Sequence, residues 1–286
     1  MPRLSGLLLC AVLLSALSWA EEKPPAPPPD PAKRGAFAVG HRKAAIQVKG
    51  RELKALFFYP ASTPGRDKPP AAAKPFPVMV FSPGGDANPE DLPGWESFAD
   101  FFATPGFVVC LVAFSKDNCW ERAERFGEVL DWLGKRNASK DWALKGALDL
   151  TRCVASGNSR GGAAALLAAA KDRRFTHCLS YNASHPAGYP LAEEAAQMKG
   201  MSHGTIRPAD APTKIPFRED LSTLYIAGDV VDPRYGMAPD AHHARQFWNE
   251  HLFGDVRPTR VLVQVAGLEH GGGGPQASMT SALRTA

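Results

Sequence analysis

The sequence predicts an α/β fold, a mostly parallel central sheet with helices on both faces. Two observations carry this. From about residue 77 onward, apolar β-rich runs alternate with segments of helical periodicity, a pattern that folds as parallel strands joined by crossover helices. Several runs, Phe107–Phe114 above all, are apolar almost without interruption, as strands covered on both faces are.

The chain begins before that fold does. Arg3 supplies a short positive region, Leu7 to Leu14 an apolar one, and Ser18-Trp19-Ala20 small residues at the −3 and −1 positions of a cleavage site. Residues 1–20 therefore read as a secretory signal peptide, and a secreted or periplasmic protein is expected. The apolar run falls short of a membrane span, and no stable span is expected after cleavage. Residues 21–35 are rich in proline and read as an extended linker. Residues 36–286 form the expected domain.

Within the domain, Ala44–Val48 and Leu53–Tyr59 read as strands joined by a turn at Lys49-Gly50, followed by a loop rich in Pro and Ala over residues 60–75. Pro77–Ser82 is the next strand. A helix over Leu92–Thr104 places Trp95, Phe98 and Phe102 on one face, and Pro105-Gly106 stops it. Strand Phe107–Phe114 precedes a helix over Trp120–Arg136, with Phe126, Val129, Leu130 and Leu133 at helical spacing. A short strand, Thr151–Ala155, leads to a small-residue helix over Gly161–Lys171. Phe175–Tyr181, Ser222–Ala227 and Arg260–Val265 are strands, and Pro239–Phe253 is a helix.

Composition excludes several function classes. The 286 residues carry a formal charge of +4, with 44% hydrophobic and 22% charged residues, an ordinary globular balance. Basic residues alternate with acids, as in Glu121-Arg122-Ala123-Glu124-Arg125, and no basic stripe suggests nucleic acid. Cys110, Cys119, Cys153 and Cys178 follow the leader. Three lie in apolar strand-like runs where free buried thiols are common, and export leaves room for one disulfide. No Cys or His spacing resembles a metal site, and His242 and His243, adjacent on a helix, point apart. Neither metal nor cofactor is expected, and a monomer is.

The chemistry concentrates at strand ends, where ligand sites of parallel sheets lie. Gly157-Asn158-Ser159-Arg160-Gly161 is a weak signal alone. Here it sits between the strand Cys153-Val154-Ala155 and a helix opening at Gly161-Gly162-Ala163. That is the context of a nucleophilic serine on a sharp turn. A serine nucleophile needs a base oriented by an acid, in the chain order Ser, acid, His. Strand Ser222–Ala227 runs into Gly228-Asp229-Val230-Val231-Asp232. Asp232 is the favoured acid, with Asp229 as the alternative. Strand Arg260–Val265 runs toward His270 in a glycine-rich loop, and His270 is the candidate base, since imidazole titrates near neutrality. The oxyanion donors are expected to be the backbone N–H groups of Arg160 and of Gly85, the latter in the loop Ser82-Pro83-Gly84-Gly85-Asp86-Ala87, with the Asp86 N–H as its alternative. Asn158, Asp86 and His185 are candidate substrate contacts.

With Phe76–Gly85, Gly106–Val109, Gly157–Gly162, Ala227–Asp232 and His270 together, the chain resembles the dienelactone-hydrolase-like branch of the α/β-hydrolases. It is similar to cutinase-like polyester hydrolases, platelet-activating-factor acetylhydrolases and chlorophyllases. The resemblance implies an α/β-hydrolase fold and a carboxylesterase without a cofactor. Polyester hydrolases typically carry an aromatic residue where this chain has Gly85, and differ at Asn158 and Arg160. The Ser-Arg-Gly-Gly run is closer to chlorophyllases, and Ser159 departs from the cysteine of dienelactone hydrolases proper. The expectation is a serine carboxylic ester hydrolase acting on a small-molecule or polymeric ester through an acyl-enzyme. An amidase, peptidase or thioesterase on the same triad, and a catalytically silent binding protein of the same fold, are the rival readings.

Overall fold

A nine-stranded sheet organises the molecule, with strand order β3-β1-β2-β5-β4-β6-β7-β8-β9 among the described residues. The computed structural model describes residues 33–72, 75–183, 191–196, 206–211, 215, 217–228 and 260–265. All of these belong to one compact unit, Pro31–Ala286. The leader expected over 1–20 and most of the linker expected over 21–35 lie outside the described residues, as does the helix expected over 239–253. Arg34 pairs with Asp100, and the Gly35 N–H donates to Thr104 Oγ1 at 2.8 Å, so the chain is anchored to the fold from there on.

β1 (Ala38–Val48) and β2 (Arg51–Ala61) form an antiparallel hairpin. Its turn needs Gly50, whose φ of +72° suits a residue without a Cβ. Both strands outrun their apolar stretches because hairpin pairing recruits the polar residues between. The expected loop over 60–75 contains a two-residue strand, β3 (Gly65–Arg66), that adds in parallel to the edge of β1. Two residues carry no periodicity, so it left no trace in the sequence.

The other strands are β4 (Phe76–Ser82), β5 (Val108–Val112), β6 (Leu148–Asn158), β7 (Phe175–Tyr181), β8 (Ser222–Gly228) and β9 (Arg260–Val265). β2 pairs with β5 antiparallel. From β5 to β9 every pairing is parallel. Alternate side chains feed two cores. On one face Val78, Val80, Val108, Cys110, Cys153 and Ala155 pack under α2 (Cys119–Ala138) and α3 (Arg160–Lys171). On the other, Met79, Phe81, Val109, Leu111 and Val154 pack under α1 (Glu96–Ala103). The expected α/β architecture is thus present, a mixed and mostly parallel sheet between helices.

The helix expected over 92–104 is divided. Pro89–Trp95 is a 3₁₀ helix, and α1 starts at Glu96. Pro93 and Gly94 account for the break, since proline removes a donor and glycine is a poor helix former. The aromatic face persists across it: Phe81 packs at a tilt against Trp95 and Phe98, with ring centroids 4.7 and 4.6 Å apart. α2 is opened by Asn118, whose side chain accepts from the N–H groups of Trp120 and Glu121, while the Glu121 carboxylate accepts from the Asn118 N–H. Such a reciprocal cap is worth about 1 kcal/mol.

Cys110, Cys119, Cys153 and Cys178 are all free and buried, so the disulfide that export would permit is not formed. Burial pushes the Cys110, Cys119 and Cys178 thiols far up and the Cys153 thiol up to about 12. At pH 8 these four thiols are expected to ignore Ellman's reagent in the native protein and to react together on unfolding, because the thiolate is the nucleophile. Release of nitrothiobenzoate with and without denaturant checks this. No helix among the described residues is long and apolar enough to cross a membrane.

Candidate active site

The order β5-β4-β6 means that the direction in which the chain adds strands reverses at β4, although β4 and β6 run parallel. The chain leaves β4 toward β5 on one side, then returns across β4 to β6. Ligand sites of parallel sheets lie beyond the carboxyl ends of the strands at such a point. Ser82, the last residue of β4, pairs with Gly157 of β6, so the 83–87 loop and the residues after Asn158 face one another there.

Ser159 joins β6 to α3 without an intervening loop. Its φ of 51° and ψ of −121° lie where only glycine sits comfortably, a strain of about 1–3 kcal/mol. The surroundings hold it there. The Ser159 N–H donates to the Tyr181 carbonyl at 2.9 Å, and the Ser159 carbonyl accepts from the Ala163 N–H at 2.9 Å. The glycines on either side are dictated by space. A Cβ on Gly157 would come 2.4 Å from the Gly161 carbonyl carbon, and one on Gly161 would come 2.1 Å from the Ser82 oxygen. Gly162 is equally confined, its Cβ position being 2.9 Å from the Gly157 oxygen. The alanines of α3 bring the helix close to the sheet, and Ala163 to Ala170 are all buried.

The 83–87 loop closes the other side. A Cβ on Gly84 would lie 2.7 Å from Asn158 Oδ1 and 3.0 Å from Ser159 Cβ. Gly85 and Ala87 both have positive φ, at 56° and 49°. The Ala87 N–H closes the turn onto the Gly84 carbonyl at 3.1 Å. Asp86 is exposed and pairs with Arg160 at 3.0 Å, which ties the loop to the first residue of α3. Asn158 donates to the Tyr181 carbonyl at 3.4 Å, so it is wedged between the loop and β7.

Beneath the loop lies Arg122, fully buried. Its Nε donates to the Asp117 carbonyl at 3.0 Å, Nη1 to the Pro83 carbonyl at 3.3 Å and Nη2 to the Gly85 carbonyl at 2.6 Å. In the sequence Arg122 carries no role beyond that of one scattered charge in the run Glu121 to Arg125. The signal was present: Arg122 stands four residues before Phe126 and seven before Val129, on the apolar stripe of α2. Burial, with the Arg160 charge nearby, brings its guanidinium down to about 10, still protonated at neutral pH.

Five of the expected site residues, Ser159, Arg160, Gly85, Asn158 and Asp86, meet at the carboxyl ends of β4 and β6. Asp229, Asp232, His270 and His185 lie outside the described residues. The strands that lead toward them are described. Tyr181 of β7 pairs with Ile226, and Gly228 at the end of β8 pairs with Val265 at the end of β9. Asn182, with φ of 45°, donates its N–H to the Ile226 carbonyl and accepts from the Gly228 N–H at 2.8 Å. The chain therefore departs from β8 and β9 at the same edge of the sheet as Ser159.

Ser159 is a half-buried hydroxyl-bearing residue at a helix start, where N–H groups lack intrahelical acceptors and the dipole favours negative charge. Among the described residues the Gly85 N–H donates to no backbone carbonyl, and no cluster of three or more His, Cys, Asp or Glu side chains is placed to hold a metal ion. No protein-family model matches the chain, and no curated protein matches it.

Proposed function

We propose that the protein is a serine carboxylic ester hydrolase with an α/β-hydrolase fold, exported from the cell. The observation that carries this is Ser159, held at φ 51° on an unlooped strand-to-helix turn against the 83–87 loop. A residue kept in a strained conformation by its surroundings is a mark of function, and this turn is the one that exposes a nucleophilic serine above a parallel sheet.

In this reading the Ser159 Oγ bonds to the ester carbonyl carbon while its proton passes to His270. Asp232, or Asp229 in its place, orients the imidazole and stabilises its charged form. The carbonyl oxygen becomes an oxyanion between the N–H groups of Arg160 and Gly85. His270 returns the proton to the departing alcohol, and water cleaves the acyl-enzyme by the reverse sequence. Asn158, Asp86 and His185 flank the substrate.

A fluorophosphonate probe tests the reading, since it labels an activated serine. Labelling of the native chain that is lost in Ser159→Ala is the expected result, together with turnover of p-nitrophenyl esters far exceeding that of matched anilides. No labelling of the folded protein would leave a silent binding protein. Comparable turnover of anilides would indicate an amidase or peptidase, and preference for thioesters a thioesterase.

A further inference from the structure

We infer that Arg122 is a positioning residue for the oxyanion site, its buried guanidinium gripping the Pro83 and Gly85 carbonyls so that the 83–87 loop keeps the shape catalysis needs. The inference rests on the ester hydrolase reading and adds to it a residue from a different helix.

The argument starts from peptide geometry. In a trans peptide the N–H points opposite the C=O, so a loop whose carbonyls are fixed has its N–H groups fixed as well. The carbonyls of Pro83, Gly84 and Gly85 are all held. Arg122 takes those of Pro83 and Gly85, and the Ala87 N–H takes that of Gly84. The Gly84–Gly85 peptide, which bears the Gly85 N–H, is thus clamped between two peptides that Arg122 holds. The loop needs such a clamp because Gly84 and Gly85 are the freest residues of the backbone.

Arg122 is itself firmly placed. It sits in the first turn of α2, behind the Asn118–Glu121 cap, and reaches back to the Asp117 carbonyl. The Asp117 carboxylate is engaged elsewhere, by Arg51 at 2.7 Å. Among the described residues no carboxylate lies within ion-pair distance of Arg122, so its charge is spent on main-chain carbonyls. Lysine could satisfy one carbonyl at a time, whereas the planar fork of arginine satisfies two.

Arg122→Lys and Arg122→Gln test this with a p-nitrophenyl ester and with a trifluoromethyl ketone. Ser159 Oγ adds to the ketone carbon, its proton passing to His270, and the ketone oxygen becomes an alkoxide in the oxyanion site. The expected result is a kcat about 10- to 100-fold lower with KM within about 2-fold, and ketone affinity weakened by the same factor as kcat. Loss of one oxyanion donor in comparable sites costs about 100- to 1,000-fold, and misaiming one costs less. A folded variant with kcat and ketone affinity within about 2-fold of the parent overturns the inference. If the Gln variant does not fold, the Lys variant decides by the same two readouts. A parent protein that neither labels with fluorophosphonate nor turns over esters defeats the underlying reading instead.

Discussion

Ser159→Gly is expected to abolish ester turnover and at the same time to make the protein more stable than Ser159→Ala. Both substitutions remove the proposed nucleophile, and hydrolysis should fall by about 10⁴- to 10⁶-fold, leaving what the oxyanion donors and binding supply. The two differ in backbone. Alanine retains a Cβ at φ 51° and ψ −121° and keeps the strain. Glycine releases about 1–3 kcal/mol of it and gives back about 0.5–1 kcal/mol through the freedom it adds to the unfolded chain. The net difference is about 1 kcal/mol in favour of glycine, read as the shift between two urea unfolding curves. Equal midpoints would show that the turn is unstrained in solution. Full activity in either variant would remove Ser159 from the chemistry.

Gly161→Ala should cost more stability than any other single methyl added to the site. The new Cβ would sit 2.1 Å from the Ser82 oxygen and 2.5 Å from the Pro83 oxygen. Both are backbone atoms that cannot swing aside, so α3 must move off β4 and the loop after it. The expected penalty is about 3–5 kcal/mol, at the upper end of overpacking effects, and with it most of the activity. Gly134→Ala in α2 is the matched control, its Cβ lying 3.7 Å from Leu150 Cδ1 in ordinary contact. It should gain about 0.5–1 kcal/mol from helix propensity. Urea midpoints of the two variants separate the steric argument from a general intolerance of alanine. A Gly161→Ala protein as stable as the parent would mean that β4 and α3 do not approach as closely as described.

The value of the glycine spacing lies in how it was legible. Gly157, Gly161 and Gly162 mark a turn in the sequence because spacing survives in one dimension. The reason for each glycine is not local. Gly161 is small because Ser82, seventy-nine positions earlier, pairs with Gly157 across the sheet. Arg122 shows the opposite case. In sequence it stands in a run of alternating charges, Glu121 to Arg125, and its spacing from Phe126 and Val129 is what matches the apolar face of α2.

What the sequence by itself determined is the α/β class, the main strands and helices of the described residues apart from β3 and the break at Pro93-Gly94, and the position of Ser159 between β6 and α3. Periodicity and turn chemistry are local, and each run declares which of its residues face a core. Tertiary structure alone decided the strand order β3-β1-β2-β5-β4-β6-β7-β8-β9, and with it the meeting of the 83–87 loop with Ser159 where β4 and β6 pair. It also decided the positive φ of Ser159 and the burial of Arg122 under the 83–87 loop. These depend on which distant segments pair and what space they leave. Strand pairing is set by packing the whole sheet at once, and no window of the chain contains it.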